Sequence, residues 1–81
     1  MTKRILLVDD EVEITEINKR YLTQAGYEVN VAHDGQEALE LFQKYSIDLI
    51  ITDIMMPNMD GYEFTETLRD GHCETPIIIV T

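Results

Sequence analysis

Three aspartates open the chemical question. Asp9 and Asp10 close the apolar block of "RILLVDD", and Asp53 closes the run of "DLIITD". A carboxylate at the mouth of a buried strand is costly to place, because burial strips its water. Thr81 ends a further apolar run, "PIIIVT". If the strands that carry these acids lie side by side, three carboxylates converge on one spot. Like charges roughly 4 Å apart repel by about 4 kcal/mol at an effective dielectric of 20. Capping of helices that face water accounts for Asp60 and partly for Asp10, but poorly for all three convergent acids. A hard divalent cation removes the repulsion. Oxygen ligands without histidine or cysteine point to Mg²⁺, or Mn²⁺ in its place, rather than zinc. Mg²⁺ takes one or two carboxylates, keeps several waters and binds a substrate phosphate as well.

Other phosphate chemistries are tested by what the sequence lacks. A P-loop nucleotide hydrolase needs a G-x-x-x-x-G-K-[ST] loop beside its acidic strand, and that pattern is absent. A dinucleotide-binding domain needs a glycine-rich turn after its first strand. Here that turn is "DDEVE", which repels phosphate unless a metal intervenes. An aspartyl-phosphate hydrolase of the dehalogenase type wants a second acid two residues beyond its nucleophile, where this chain has Met55.

The elements that must position the acids follow from hydrophobic period. Ile5 to Val8 form a short apolar block that reads as a strand buried on both faces. In "EVEITEINKRYLTQAG", Ile14, Ile17, Tyr21 and Leu22 recur at helical spacing, and Gly26 suits the stop. "YEVNVA" alternates like a half-buried strand. "GQEALELFQKY" sets Ala38, Leu41, Phe42 and Tyr45 on one helical face. "DLIIT" reads as a second fully buried strand, "GYEFTETLRDG" as a short helix, and "PIIIVT" as a last strand opened by Pro76. Asp10, Asp34 and Asp60 each precede a glutamate by three residues, at Glu13, Glu37 and Glu63. This variant of the capping box places each aspartate at a helix N-cap. The order is β-α-β-α-β-α-β. Right-handed crossovers gather such strands into one parallel sheet with helices on both faces. Sites on such sheets form outside the carboxyl ends of the strands, where all three acids fall.

Composition narrows the partners. Eighty-one residues make one small domain. A chain of that size buries only about 60% of its unfolded surface, so its stability is thin. Hydrophobic residues at 44% and charged residues at 27% argue against disorder. A net charge of −10 disfavours nucleic acid and favours cations or basic surfaces. The single cysteine, Cys73, makes no internal disulfide, which suits a reducing, cytoplasmic setting. No apolar stretch is long enough to span a membrane, and the N-terminus does not read as a signal peptide.

"LLVDDE", "DLIITDIMMPNMDG" and "PIIIVT", in this order, resemble the receiver (CheY-like) domain of bacterial two-component response regulators. The resemblance runs from end to end, and its motifs are specific in combination rather than singly. It implies a three-layer, flavodoxin-like α/β fold with strand order 2-1-3-4. It implies that Asp53 is the phosphoacceptor, taking a phosphoryl group from a phosphohistidine of a sensor histidine kinase. It implies that Asp10 binds Mg²⁺ directly and Asp9 largely through water, with Asp53 and the Met55 backbone carbonyl as further ligands. Thr81 is expected to contact the phosphoryl group and act as a switch. Pro57, Asp60 and Gly61 are expected to shape the loop and start the next helix. Met55, Met56 and Met59 read as packing residues, His33 and His72 as ordinary surface residues, and Cys73 as a bystander. The chain is expected to be a phosphoacceptor and not an enzyme.

The family's domain is longer. Relative to it, residues 1–81 are expected to be an incomplete receiver that lacks the last helices, the fifth strand and any output domain. The resemblance places on that fifth strand a lysine that pairs with the phosphoryl group, and an aromatic switch residue. The run "IIIV" shows no alternation, so it expects cover on both faces. An uncovered apolar edge strand recruits partners, and self-association through residues 76–81 is therefore expected. Two further readings stand beside the signalling module. One is an inactive receiver fragment serving as a folding or assembly unit, and the other, ranked last, is a phosphatase built on the same acids.

Overall fold

Two apolar blocks, one ending at Val8 and one reaching Asp53, become the neighbouring central strands of a sheet. The computed structural model describes residues 2–53, 61–71 and 74–80. Among them the order is β1 (Arg4–Val8), α1 (Val12–Gln24), β2 (Glu28–Ala32), α2 (Gly35–Lys44), β3 (Leu49–Asp53), α3 (Gly61–Asp70) and β4 (Ile77–Val80). The strands pair in the order β2-β1-β3-β4, parallel throughout. The fold is flavodoxin-like, and the expected order of elements and strands is observed.

The main core lies on the α2/α3 face of the sheet. Leu6, Val8, Ala32 and Ile50 project from the strands to meet Ala38, Ile47, Phe64 and Leu68. Phe64, Leu6 and Ile50 are each fully buried. Removing a side chain of that kind from water contributes about 1.5–3 kcal/mol. Along β1, Ile5 and Leu7 are buried on the opposite face as well, so this strand has the two-sided cover its sequence calls for. β3 differs from the fully buried strand expected of "DLIIT". Ile50 and Thr52 are buried, while Leu49, Ile51 and Asp53 are half-exposed on the α1 side. β2 grades from exposed Glu28 to buried Ala32 rather than alternating, because it is an edge strand.

α1 also departs from expectation. Its spacing suggests that Ile14, Ile17 and Tyr21 are buried, yet they are 42%, 53% and 69% exposed, and Thr15 is buried instead. The helix rests against β1 and β2. Thr15 can be buried because its hydroxyl donates to the Val12 carbonyl at 2.7 Å. Ile14 faces a cleft whose other walls include Ile51 and Val80. Periodicity marks the apolar stripe, but at Ile14 it borders residues of β3 and β4, strands that no described helix covers on that side.

Helix ends follow local chemistry. Gly26 has φ 101°, a left-handed conformation that glycine adopts without strain. The Tyr27 N–H then reaches the Leu22 carbonyl and the Gly26 N–H the Thr23 carbonyl, which closes α1 in a Schellman motif. Asp34 caps α2 as expected, its Oδ1 accepting from the Glu37 N–H at 2.8 Å. Asp10 does not cap α1. That helix starts one residue later, from Glu11, with no side-chain cap. The third expected cap, Asp60, lies outside the described residues.

Phe64→Ala is expected to lower the unfolding free energy by about 3–5 kcal/mol. Ile17→Ala, on the exposed stripe, is expected to change it by about 0.5 kcal/mol or less. Urea unfolding of both variants checks the contrast.

Candidate functional site

Strand register builds the site. Val8 of β1 lies opposite Thr52 of β3, so the next residue on each strand, Asp9 and Asp53, emerges on the same edge of the sheet. Asp10 follows at the entrance to α1. One carboxylate oxygen from each of Asp9, Asp10 and Asp53 can be chosen so that all lie within 4.8 Å of one another. Asp9 and Asp53 are half-buried and Asp10 is exposed. The three acids singled out by sequence are thus brought together.

Asp9 is held at several atoms. Its N–H donates to the Ala32 carbonyl at 3.0 Å, continuing the β1–β2 ladder past the end of β1. Its Oδ1 accepts from the Glu11 N–H at 2.9 Å, which ties the acid across the turn. Its carbonyl faces His33 Nδ1 at 3.1 Å. His33 is therefore half-buried and bonded to the acid loop rather than an ordinary surface residue. The signal available in sequence was its place directly after a strand that pairs with β1. On β3, the buried Thr52 hydroxyl donates to the Asp53 carbonyl at 3.0 Å and satisfies itself without reaching the acids.

Electrostatically, the described residues leave the cluster without a cationic partner. Among the described residues no lysine or arginine pairs with these three carboxylates. Arg4 lies at the opposite end of β1, bound to Glu28 at 2.7 Å and Asn30 at 2.7 Å and stacked on Tyr45. A cleft of about 300 Å³ opens beside the acids, with Asp9, Asp53, Ile14, Asn18 and Val80 among its walls. The donor set is all oxygen, and His33 turns its Nδ1 to a carbonyl instead of joining it. That set fits a hard cation such as Mg²⁺, with room for water or a phosphoryl group alongside. Because Asp10 is not used as a helix cap, its carboxylate remains free for a ligand. Met55 and Thr81, the other expected site residues, lie outside the described residues, as do Pro57, His72 and Cys73.

The sequence matches the response regulator receiver domain family over residues 5–81. This chain belongs to that family. It is 44% identical over 78 residues to the transcriptional regulatory protein TrcR of Mycobacterium tuberculosis, which covers 96% of this chain and 30% of that protein. It is 46% identical over 78 residues to the transcriptional regulatory protein CpxR of Escherichia coli, covering 96% of this chain and 33% of CpxR. The chain thus spans about a third of the length of these curated relatives. The chemotaxis protein CheY4 of Vibrio cholerae superposes with a TM-score of 0.92 at 41% identity, over 98% of this chain and 68% of that one. The receiver domain of the Francisella response regulator 1452 gives 0.93 at 36% identity, over 96% and 64%.

Asp53→Asn is expected to raise the melting temperature in metal-free buffer, because it removes one of three mutually repelling charges, a gain of up to about 1 kcal/mol near water. Added Mg²⁺ is expected to raise the melting temperature of the wild type more than that of the variant. Thermal scans with chelator and with Mg²⁺ read both effects.

Proposed function

We propose that this chain is the phosphoacceptor receiver module of a two-component response regulator, with Asp53 accepting a phosphoryl group from a sensor histidine kinase. The observation that carries the reading is the convergence of Asp9, Asp10 and Asp53 at the carboxyl edge of β1 and β3. A carboxylate oxygen of Asp53 attacks the phosphorus of the donor. The bond from phosphorus to the donor histidine nitrogen breaks, its electron pair stays with the imidazole, and an aspartyl phosphate remains. Asp9 and Asp10, with Asp53 and the Met55 carbonyl, would hold Mg²⁺, or Mn²⁺ in its place. Bound there, the cation offsets charge on the transferring phosphoryl oxygens. Thr81 is assigned contact with the phosphoryl group and the switch that reports it. The chain is a phosphoacceptor rather than an enzyme acting on a separate substrate, and it acts in the cytoplasm. No helix among the described residues is long and apolar enough to cross a membrane, and the charge of −10 disfavours contact with nucleic acid.

A second reading rests on a different observation. β4 is an edge strand of the described sheet, and Ile78 and Val80 are each 50% exposed on the side where Ile14 and Ile17 also face solvent. Apolar side chains beside an unpaired edge favour docking of a second copy of the chain. In that reading residues 76–81 mediate self-association, and the chain is an assembly unit without phosphoacceptor activity.

Incubation with a small phosphodonor and Mg²⁺ is expected to add the mass of one phosphoryl group, with no gain in Asp53→Ala. An unmodified wild-type chain under those conditions would count against the phosphoacceptor reading. On the assembly reading, sedimentation velocity shows concentration-dependent association that Ile78→Lys weakens. A monomer at high concentration would contradict the assembly reading.

A further inference from the structure

We propose that His33 is a positioning residue for the acid site, with its ring fixing the peptide that joins Asp9 to Asp10. The inference rests on the reading that these acids hold a divalent cation. His33 Nδ1 lies 3.1 Å from the Asp9 carbonyl oxygen, across 24 residues of sequence. A carbonyl can only accept, so Nδ1 carries the proton and donates it. The distance falls within the ordinary N–H···O range.

This carbonyl belongs to the Asp9–Asp10 peptide. A peptide is planar, so holding its oxygen also holds its N–H and the Cα of Asp10. On the other side of Asp9, the N–H is held by the Ala32 carbonyl at 3.0 Å. Consecutive residues at the end of β2, Ala32 and His33, therefore grip Asp9 by both of its backbone polar groups. Asp10 itself is exposed and does not cap α1, and the Glu11 cap makes no side-chain bond. Within the turn, the Asp9 Oδ1 accepts from the Glu11 N–H, but that bond is made by a carboxylate that a metal would share. Without His33, the direction of Asp10 would be set by a carbonyl bonded only to solvent. β2 supplies no carboxylate to the site, yet through His33 it aims one.

Outer partners that orient metal ligands typically carry 10–100-fold in metal affinity when lost. The test compares Mg²⁺ titrations, followed by backbone amide shifts, in the wild type, His33→Asn and His33→Leu. Asparagine places an N–H donor near the Nδ1 position, whereas leucine fills similar space without a donor. The expected result is wild-type-like affinity in His33→Asn and about tenfold weaker binding in His33→Leu. Long-range proton–nitrogen spectra of the wild type are expected to show the ring proton on Nδ1. Equal affinity in wild type and His33→Leu overturns the proposal. Equal losses in both variants overturn it too, since they would mark packing rather than the donor. Absence of any Mg²⁺ response in the wild type removes the metal-site reading itself, and His33's role falls with it.

Discussion

Everything at the site depends on β1 and β3 pairing in parallel although they are not consecutive in the chain. A parallel sheet sends every strand's carboxyl end to the same edge, and right-handed crossovers let β2 and its helices fold back without disturbing that edge. The Val8–Thr52 register then sets Asp9 beside Asp53 without any direct attraction between them. The acids repel, so something else must hold them close. That force is the burial of Leu6, Val8 and Ile50 just behind them, each 1% exposed or less. Side chains of this size contribute about 1.5–3 kcal/mol apiece on burial. The repulsion for a pair about 4 Å apart lies between about 1 kcal/mol in bulk water and about 4 kcal/mol at an effective dielectric of 20, less than the three burials together. The core wins, and the strand ends stay charged and close.

Much of this was legible in the residues. Short apolar blocks mark β1 and β3, and the acids at their ends are the ones that the sheet brings together. Capping chemistry placed the start of α2 correctly because Asp34 and Glu37 interact locally. What sequence could not show depends on long-range cover. Ile14, Ile17 and Tyr21 share a stripe, but a stripe does not say how far it overhangs the sheet or what lies beneath it. Thr15, a polar residue, is buried because its hydroxyl has a partner within its own helix. Asp10 and Asp34 looked alike as caps, yet only Asp34 is one. Asp10 follows Asp9, whose backbone remains tied to β2 for one residue beyond the strand, so the helix starts later.

The two faces of the sheet are unequal, and the site inherits that difference. Beneath α2 and α3, side chains from strands and helices interlock in one cluster. On the α1 side, Ile51, Ile78 and Val80 are half-covered or exposed, and a cleft runs from Ile51 and Val80 to the acids. Asp53 belongs to this open side, since it shares its strand face with Leu49 and Ile51. The rigid face fixes where the strand ends lie. The open face leaves space beside the acids, so precise placement and access come from opposite sides of one sheet.

β2 has a part in this that its own residues conceal. It is an edge strand, carries Glu28 at its exposed beginning, and contributes no acid to the cluster. Yet its order beside β1 brings Ala32 and His33 against the backbone of Asp9. A carboxylate on a short side chain reaches only as far as its backbone allows. The orientation of the peptide between Asp9 and Asp10 therefore governs where both acids point. Strand pairing on one side of β1 brings the acids together, and strand pairing on the other side aims them. The site is thus a property of three adjacent strands, β2, β1 and β3, and not only of the two that carry its charges.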